Sequence, residues 1–191
     1  MATTTTSPTQ FAFLLRILHW LMAACLLAML FIGVSMVTSV GNYHQLLAIH
    51  RPLGISILIL ALIRLVTRLM NRTPALPPTV PPSERMIMKL SEFAMYALFI
   101  ALPLIGWAML SAGNYPIVMF GSVHLPPILA PQPMLYATLR KTHTILAYAL
   151  FLAFLAHMSG VLFHTWIVRD HFLSRMLPWT VRAKGRRAGE I

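Results

Sequence analysis

The chain alternates long apolar stretches with short polar connections. The stretches cover roughly 11–37, 49–70, 87–110 and 142–168. Each meets the ~20 residues that a helix needs to span the hydrocarbon core of a bilayer. The pattern predicts an all-α integral membrane protein: a four-helix transmembrane up-down bundle, read as a single domain over 1–191. The connections are too short to fold separately. Residues 71–86, beginning "NRTPALPPTVPPSER", form a Pro-rich connector, stiff and non-helical. Residues 111–141 make the longest connection, rich in Gly and Pro and expected to fold over the bundle end. A basic tail occupies 178–191. Pro52 is expected in the first turn of helix two, where a missing N–H is tolerated. Pro103 should kink helix three.

Composition supports this reading. Hydrophobic residues make up 58% of the 191 and charged residues only 10%, more apolar surface than a soluble domain of this size can hide. The net charge of +11 changes the picture only through its placement. Twelve of the fifteen Lys and Arg lie at the start of the first stretch, around the 71–86 connector, or after the fourth stretch. The other two connections hold only Arg51, Arg140 and Lys141. That bias is the positive-inside pattern and puts both termini in the cytoplasm. The basic excess therefore reports topology, and no nucleic-acid partner is expected. The opening "MATTTTSPTQ" lacks the basic region of a signal peptide, so the first stretch is expected to stay as helix one. Cys25 is the only cysteine, which excludes an internal disulfide and a covalently attached C-x-x-C-H haem.

The candidate chemistry lies in the eight histidines. Ionisable residues inside a membrane are expensive and usually functional. His143 and His157 stand fourteen residues apart on helix four, about 21 Å along the axis and drifting only about 40° around it. Topology places His19 near the level of His157, and His50 near that of His143. The four thus form an inner pair, His19 with His157, and an outer pair, His50 with His143. Zinc in a structural site needs four ligands around one ion, which two pairs at different levels cannot supply. A porphyrin iron needs only two axial imidazoles per level, and bundle cores hold such cofactors. Ala23, Gly54, Ala147, Ala153 and Gly160 lie near the ligands and would leave room for a flat macrocycle. Two other readings stay open: interhelical hydrogen bonding, and a proton relay of the kind found in transporters.

Five segments carry a resemblance: "RILHW" (16–20), "IHRPLGISILILALIRLVTRL" (49–69), "MYALFIALPLIGWAM" (95–109), "PIVMFG" (116–121) and "KTHTILAYALFLAFLAH" (141–157). Together they resemble the bacterial cytochrome b561 family over nearly the whole chain, most of all its superoxide oxidase members. The resemblance implies a multi-pass protein of the bacterial inner membrane with two haems b. It implies axial ligation of the inner haem by His19 and His157, and of the outer by His50 and His143. It further implies electron transfer from superoxide, at the periplasmic face, to ubiquinone. The sequence departs from the family at Glu92, where members often carry a histidine four residues before the tyrosine matching Tyr96. Glu92 is either a proton donor to reduced quinone or a surface-seeking carboxylate paired with Lys89 or Arg85.

Around this frame, His164 lies one heptad beyond His157, where a quinone head group would sit; otherwise it is an interfacial histidine. His171 reads as surface. Arg51, Arg140 and Lys141 near the outer ligands, and Arg16 one turn before His19, are candidates for haem propionates or, equally, membrane-edge anchors. The segments 37–49 and 111–141 contain no acid, so a positive outer surface would attract an anion such as superoxide. The alternative function is a membrane anchor and electron conduit between quinone and a periplasmic dehydrogenase or c-type donor, docking through Tyr115, Phe120, His124 and Tyr136. The same wire run backwards, from quinol to an outer substrate, is a third reading.

Overall fold

A computed structural model describes residues 10–39, 41–76, 80–170 and 173–177. The basic tail 178–191 and His171 lie outside the described residues. Four helices are long and apolar enough to cross a membrane: α1 Phe13–Thr38, α2 Tyr43–Met70, α3 Pro82–Ala112 and α4 Pro133–Phe163. A single π-helical turn, His164–Val168, continues α4, and a short 3-10 turn follows at Leu173–Arg175.

Three helices start earlier than the apolar stretches suggest. Proline in the first turn opens both α3 and α4, at Pro82 and Pro133, where its fixed φ suits a helix and no N–H is lost. The polar residues that follow each proline then form helix outside the apolar stretch. Arg140 and Lys141 consequently lie on α4 rather than in the expected 111–141 connection. Helix α2 begins at Tyr43, which places Pro52 in its interior rather than its first turn. The helix runs through it, and the Pro52 carbonyl accepts the Ser56 hydroxyl at 2.9 Å.

The connection between α3 and α4 supplies the one departure from an all-helical chain among the described residues. Strands β1 Ile117–Met119 and β2 Val123–Leu125 pair antiparallel, with Val118 opposite His124. The turn between them needs positive φ at two successive residues, Phe120 (48°) and Gly121 (79°), a conformation that glycine adopts without strain. This hairpin folds onto the bundle end. Arg51 donates to the Pro116 carbonyl at 3.2 Å, and the Trp107 indole to the Pro126 carbonyl at 2.9 Å. The Ile128 N–H donates to the Ser111 hydroxyl.

Helix α1 packs along α2, α2 along α3 and α3 along α4, whereas α4 makes no comparable backbone approach to α1 or α2. A compact core of Met22, Leu26, Ile57, Ala61, Phe99, Leu102 and Leu150 fills the middle of the bundle. Elsewhere large apolar side chains face outward, including Phe31, Leu69 and Phe93, each at least 70% exposed. A water-soluble protein does not present such a continuous apolar surface; lipid accommodates it.

With four spans the first and last described segments meet at one end of the bundle. The Phe11 N–H donates to the Arg175 carbonyl, the Gln10 amide to the Ser174 carbonyl and the Trp20 indole to the Met176 carbonyl. Arg16, only 6% exposed, completes this clasp through bonds of 3.0 Å to Gln10 Oε1 and to the Leu177 carbonyl.

Candidate functional site

Helix spacing brings four half-buried histidines into two facing pairs. The ring centroids of His19 on α1 and His157 on α4 are 6.5 Å apart. Those of His50 on α2 and His143 on α4 are 6.2 Å apart. Each pair spans an α4 face that its partner helix does not approach closely, so the two imidazoles look at each other across a gap.

The gap has a chemical size. Imidazole nitrogens bound about 2 Å to either side of one metal ion lie about 4 Å apart, and each ring centre is about 1 Å further out. Coaxial ligands therefore have centroids about 6 Å apart, the separation that both pairs show. Direct hydrogen bonding between rings would bring them closer. Among the described residues no three of His, Cys, Asp or Glu converge on one point, so a many-ligand metal site is not built. Two ligands per level suit an ion whose remaining positions a macrocycle fills.

Buried donors support the fit. Arg51, next to His50, has a buried Nε with no partner, and so does Arg16, one turn before His19. An orphaned buried donor is costly, and a carboxylate such as a haem propionate would satisfy it. Arg16 already uses one nitrogen on the clasp of the chain ends, leaving Nε for such a role. Arg140 and Lys141 are exposed at the other end of the bundle. His44 and His124 are exposed too and join neither pair.

Gly106 on α3 sets the position of His143. A Cβ there would stand 3.4 Å from His143 Cε1 and 3.6 Å from Nδ1, so the ring lies against bare backbone. A leucine at 106 should push the ring off its line to His50 and remove one cofactor, while alanine should cost far less. Haem content per protein, by pyridine haemochrome assay, checks this; full content in Gly106→Leu would refute it.

The remaining candidates acquire partners that sequence did not supply. Glu92 binds neither Lys89 nor Arg85 but Arg68 of α2, at 3.0 Å and 3.5 Å. The reason is reach across the α2–α3 interface, which sequence distance conceals. His164 opens the π turn, and its Nδ1 lies 2.6 Å from Asp170 Oδ2. The left-handed backbone of Arg169 (φ 56°) turns the chain so that the Asp170 N–H also reaches the His164 carbonyl, at 3.1 Å. π turns are rare and concentrate at functional sites.

One neighbour of the inner pair escaped the sequence reading. Arg64 Nη2 of α2 lies 3.2 Å from His19 Nδ1, and its guanidinium stacks 5.4 Å from the centre of the Tyr96 ring. The signal was present: Arg64 follows His50 by fourteen residues, the same interval that separates His143 from His157 on α4.

Comparison with known proteins places this architecture. The family model for prokaryotic cytochrome b561 matches residues 10–179. The chain is 28% identical over 176 residues to cytochrome b561 homolog 2 of Escherichia coli (strain K12), covering 91% of this chain and 94% of that one. It is 33% identical over 133 residues to the probable superoxide oxidase CybB of Yersinia pestis, covering 68% and 73%. Cytochrome b561 homolog 1 of E. coli is 26% identical over 138 residues, covering 72% of this chain and 78% of that one. A match across most of the chain, joined to four membrane-length helices, makes this protein a member of the prokaryotic cytochrome b561 family, a haem-b-binding, multi-pass electron carrier of the bacterial inner membrane.

Proposed function

We propose that this protein is a di-haem superoxide:ubiquinone oxidoreductase, with both termini cytoplasmic. The observation that carries the proposal is the matched pair of imidazole gaps, one toward each end of the bundle. His50 and His143 would hold the periplasmic-side haem, and His19 and His157 the cytoplasmic-side haem. When bound, such groups supply one-electron relay between the two membrane faces, with no coordination position open to substrate.

The chain's own residues account for the rest. The hairpin end carries Arg51, Arg140 and Lys141, and no acid occurs in 111–141. A surface of one sign concentrates an oppositely charged reactant and raises its capture rate. A cleft of about 450 Å³, lined by Ala48, Arg51, Pro52, Val118 and Phe120 among others, opens at this end beside the Arg51 guanidinium. At the opposite end, Asp170 orients the His164 ring for proton delivery to a quinone oxygen. Glu92, held by Arg68, is the second carboxylate available there. The balance is simple: two superoxide ions each lose one electron and leave as dioxygen, and ubiquinone takes both electrons with two protons from the cytoplasmic side. The likeness to a probable superoxide oxidase of Yersinia pestis supports this choice of donor.

The deciding experiment is stopped-flow haem reduction after a superoxide pulse, with ubiquinone present, at low and high ionic strength. Fast reduction that slows several-fold with salt and ends in quinol is expected. Intact haems that ignore superoxide would discard the function.

The second reading, an electron conduit docked to a periplasmic dehydrogenase or c-type donor, draws on the hairpin tip. There Phe120 is 73% exposed and Val123 53% exposed, outside the four spans. A subunit that co-purifies and is required for haem reduction would favour it.

A further inference from the structure

Arg64 lies inside a membrane-length helix, half-buried, with its Nε sealed from solvent and unpartnered. A guanidinium stays protonated in proteins and has no acceptor atom. Charge at such depth is costly and is rarely kept without a function. Packing alone would be served by leucine, which occupies much of the rest of α2. The carboxylate facing this region from α3, Glu92, makes its direct bond to Arg68 and not to Arg64. The contacts Arg64 does make are the His19 ring edge and the Tyr96 face, and the Tyr96 hydroxyl is itself buried without a partner.

The other pair has no such neighbour in contact. His50 Nδ1 and His143 Nδ1 are both buried without a hydrogen-bond partner. Arg51 follows His50 in sequence and keeps its charge nearby, but its guanidinium bonds the hairpin carbonyl of Pro116 and not the His50 ring. The two sites are therefore electrically unlike. One has a guanidinium against the ring of its α1 histidine, and the other has its nearest cation turned to a loop carbonyl instead of the ring.

We propose that Arg64 is a positioning residue that sets the direction of electron flow, by holding the reduction potential of the His19–His157 haem above that of the His50–His143 haem. A nearby cation disfavours the more positive, oxidised state of a one-electron centre and so favours its reduction. The inference rests on the di-haem reading, and the experiment separates the two.

Redox titration of the visible haem bands is made in single-haem backgrounds. In His50→Ala protein, which keeps only the His19–His157 couple, adding Arg64→Gln is expected to lower the reduction equilibrium constant about tenfold, about 59 mV for one electron. In His143→Ala protein, Arg64→Lys should retain most of the native potential, since it keeps charge while losing the planar fork. In His157→Ala protein, which keeps only the other couple, Arg64→Gln should leave the potential in place. An unchanged potential in the first background, or equal shifts in the first and third, would overturn the proposal. So would a lysine variant that falls as far as glutamine, since that points to shape rather than charge. Native protein that holds fewer than two bis-imidazole haems, by electron paramagnetic resonance and haem assay, would instead overturn the di-haem reading.

Discussion

Replacing His143 or His50 with alanine should halve the haem content and leave a spectroscopically intact bis-imidazole centre at the other level. The reason is separation. The two imidazole pairs share α4 but lie fourteen residues apart along it, about 21 Å, with the apolar core of Met22, Leu26, Ile57, Phe99 and Leu150 between them. A vacancy at one level leaves the packing of the other in place. Removal of one imidazole also exposes a coordination position, so any haem retained there should become high-spin and bind carbon monoxide. His19→Ala and His157→Ala should give the complementary protein, deficient at the other level. Electronic absorption, haem stoichiometry and carbon monoxide difference spectra read all of this. Retention of two low-spin haems in either His50→Ala or His143→Ala would refute the pairing.

His164→Ala should separate the two half-reactions. Haem reduction by superoxide should proceed at close to the native rate, because His164 is remote from the hairpin end. Reoxidation by ubiquinone should slow about a hundredfold, the lower range for losing a positioned proton-transfer group. Asp170→Asn should act through the same step with a smaller effect, since it removes the carboxylate that orients the ring at 2.6 Å and leaves the imidazole in place. Separate measurement of reduction and reoxidation by stopped-flow spectroscopy checks both. Equal slowing of the two phases in His164→Ala would remove His164 from the quinone step.

Which features were legible in the sequence depended on how local their causes are. The membrane helices follow from apolar length alone, and the histidine pairs from a helical repeat that fixes level and face together. Arg64 obeys that same repeat on α2, yet a basic residue toward one end of a span reads first as a topology marker, and its place beside His19 was lost in that count. The start of α4 at Pro133 was hidden for a different reason. Hydropathy detects lipid contact, not helicity, and "MLYATLRK" is helical without being apolar. The β hairpin, the π turn and the Glu92–Arg68 bond depend on what lies opposite in space. Sequence distance carries little information about such contacts. Short strands of three residues, in particular, are stabilised by the bundle end on which they rest.

The use of α4 in both histidine pairs has a consequence for biogenesis. As the chain leaves the ribosome, α1, α2 and α3 can insert and pack in succession, since each has its neighbour along the sequence. Neither imidazole pair exists at that point, because His143 and His157 have not yet been made. The insertion of α4 completes both at once, and the clasp of Gln10, Phe11, Arg16 and Trp20 onto 174–177 then joins the start of α1 to the segment after α4. On the di-haem reading, cofactor loading at both levels is therefore a late event that waits on the last span. A chain stalled before α4 would be an inserted membrane protein in which His19 and His50 have no facing imidazole.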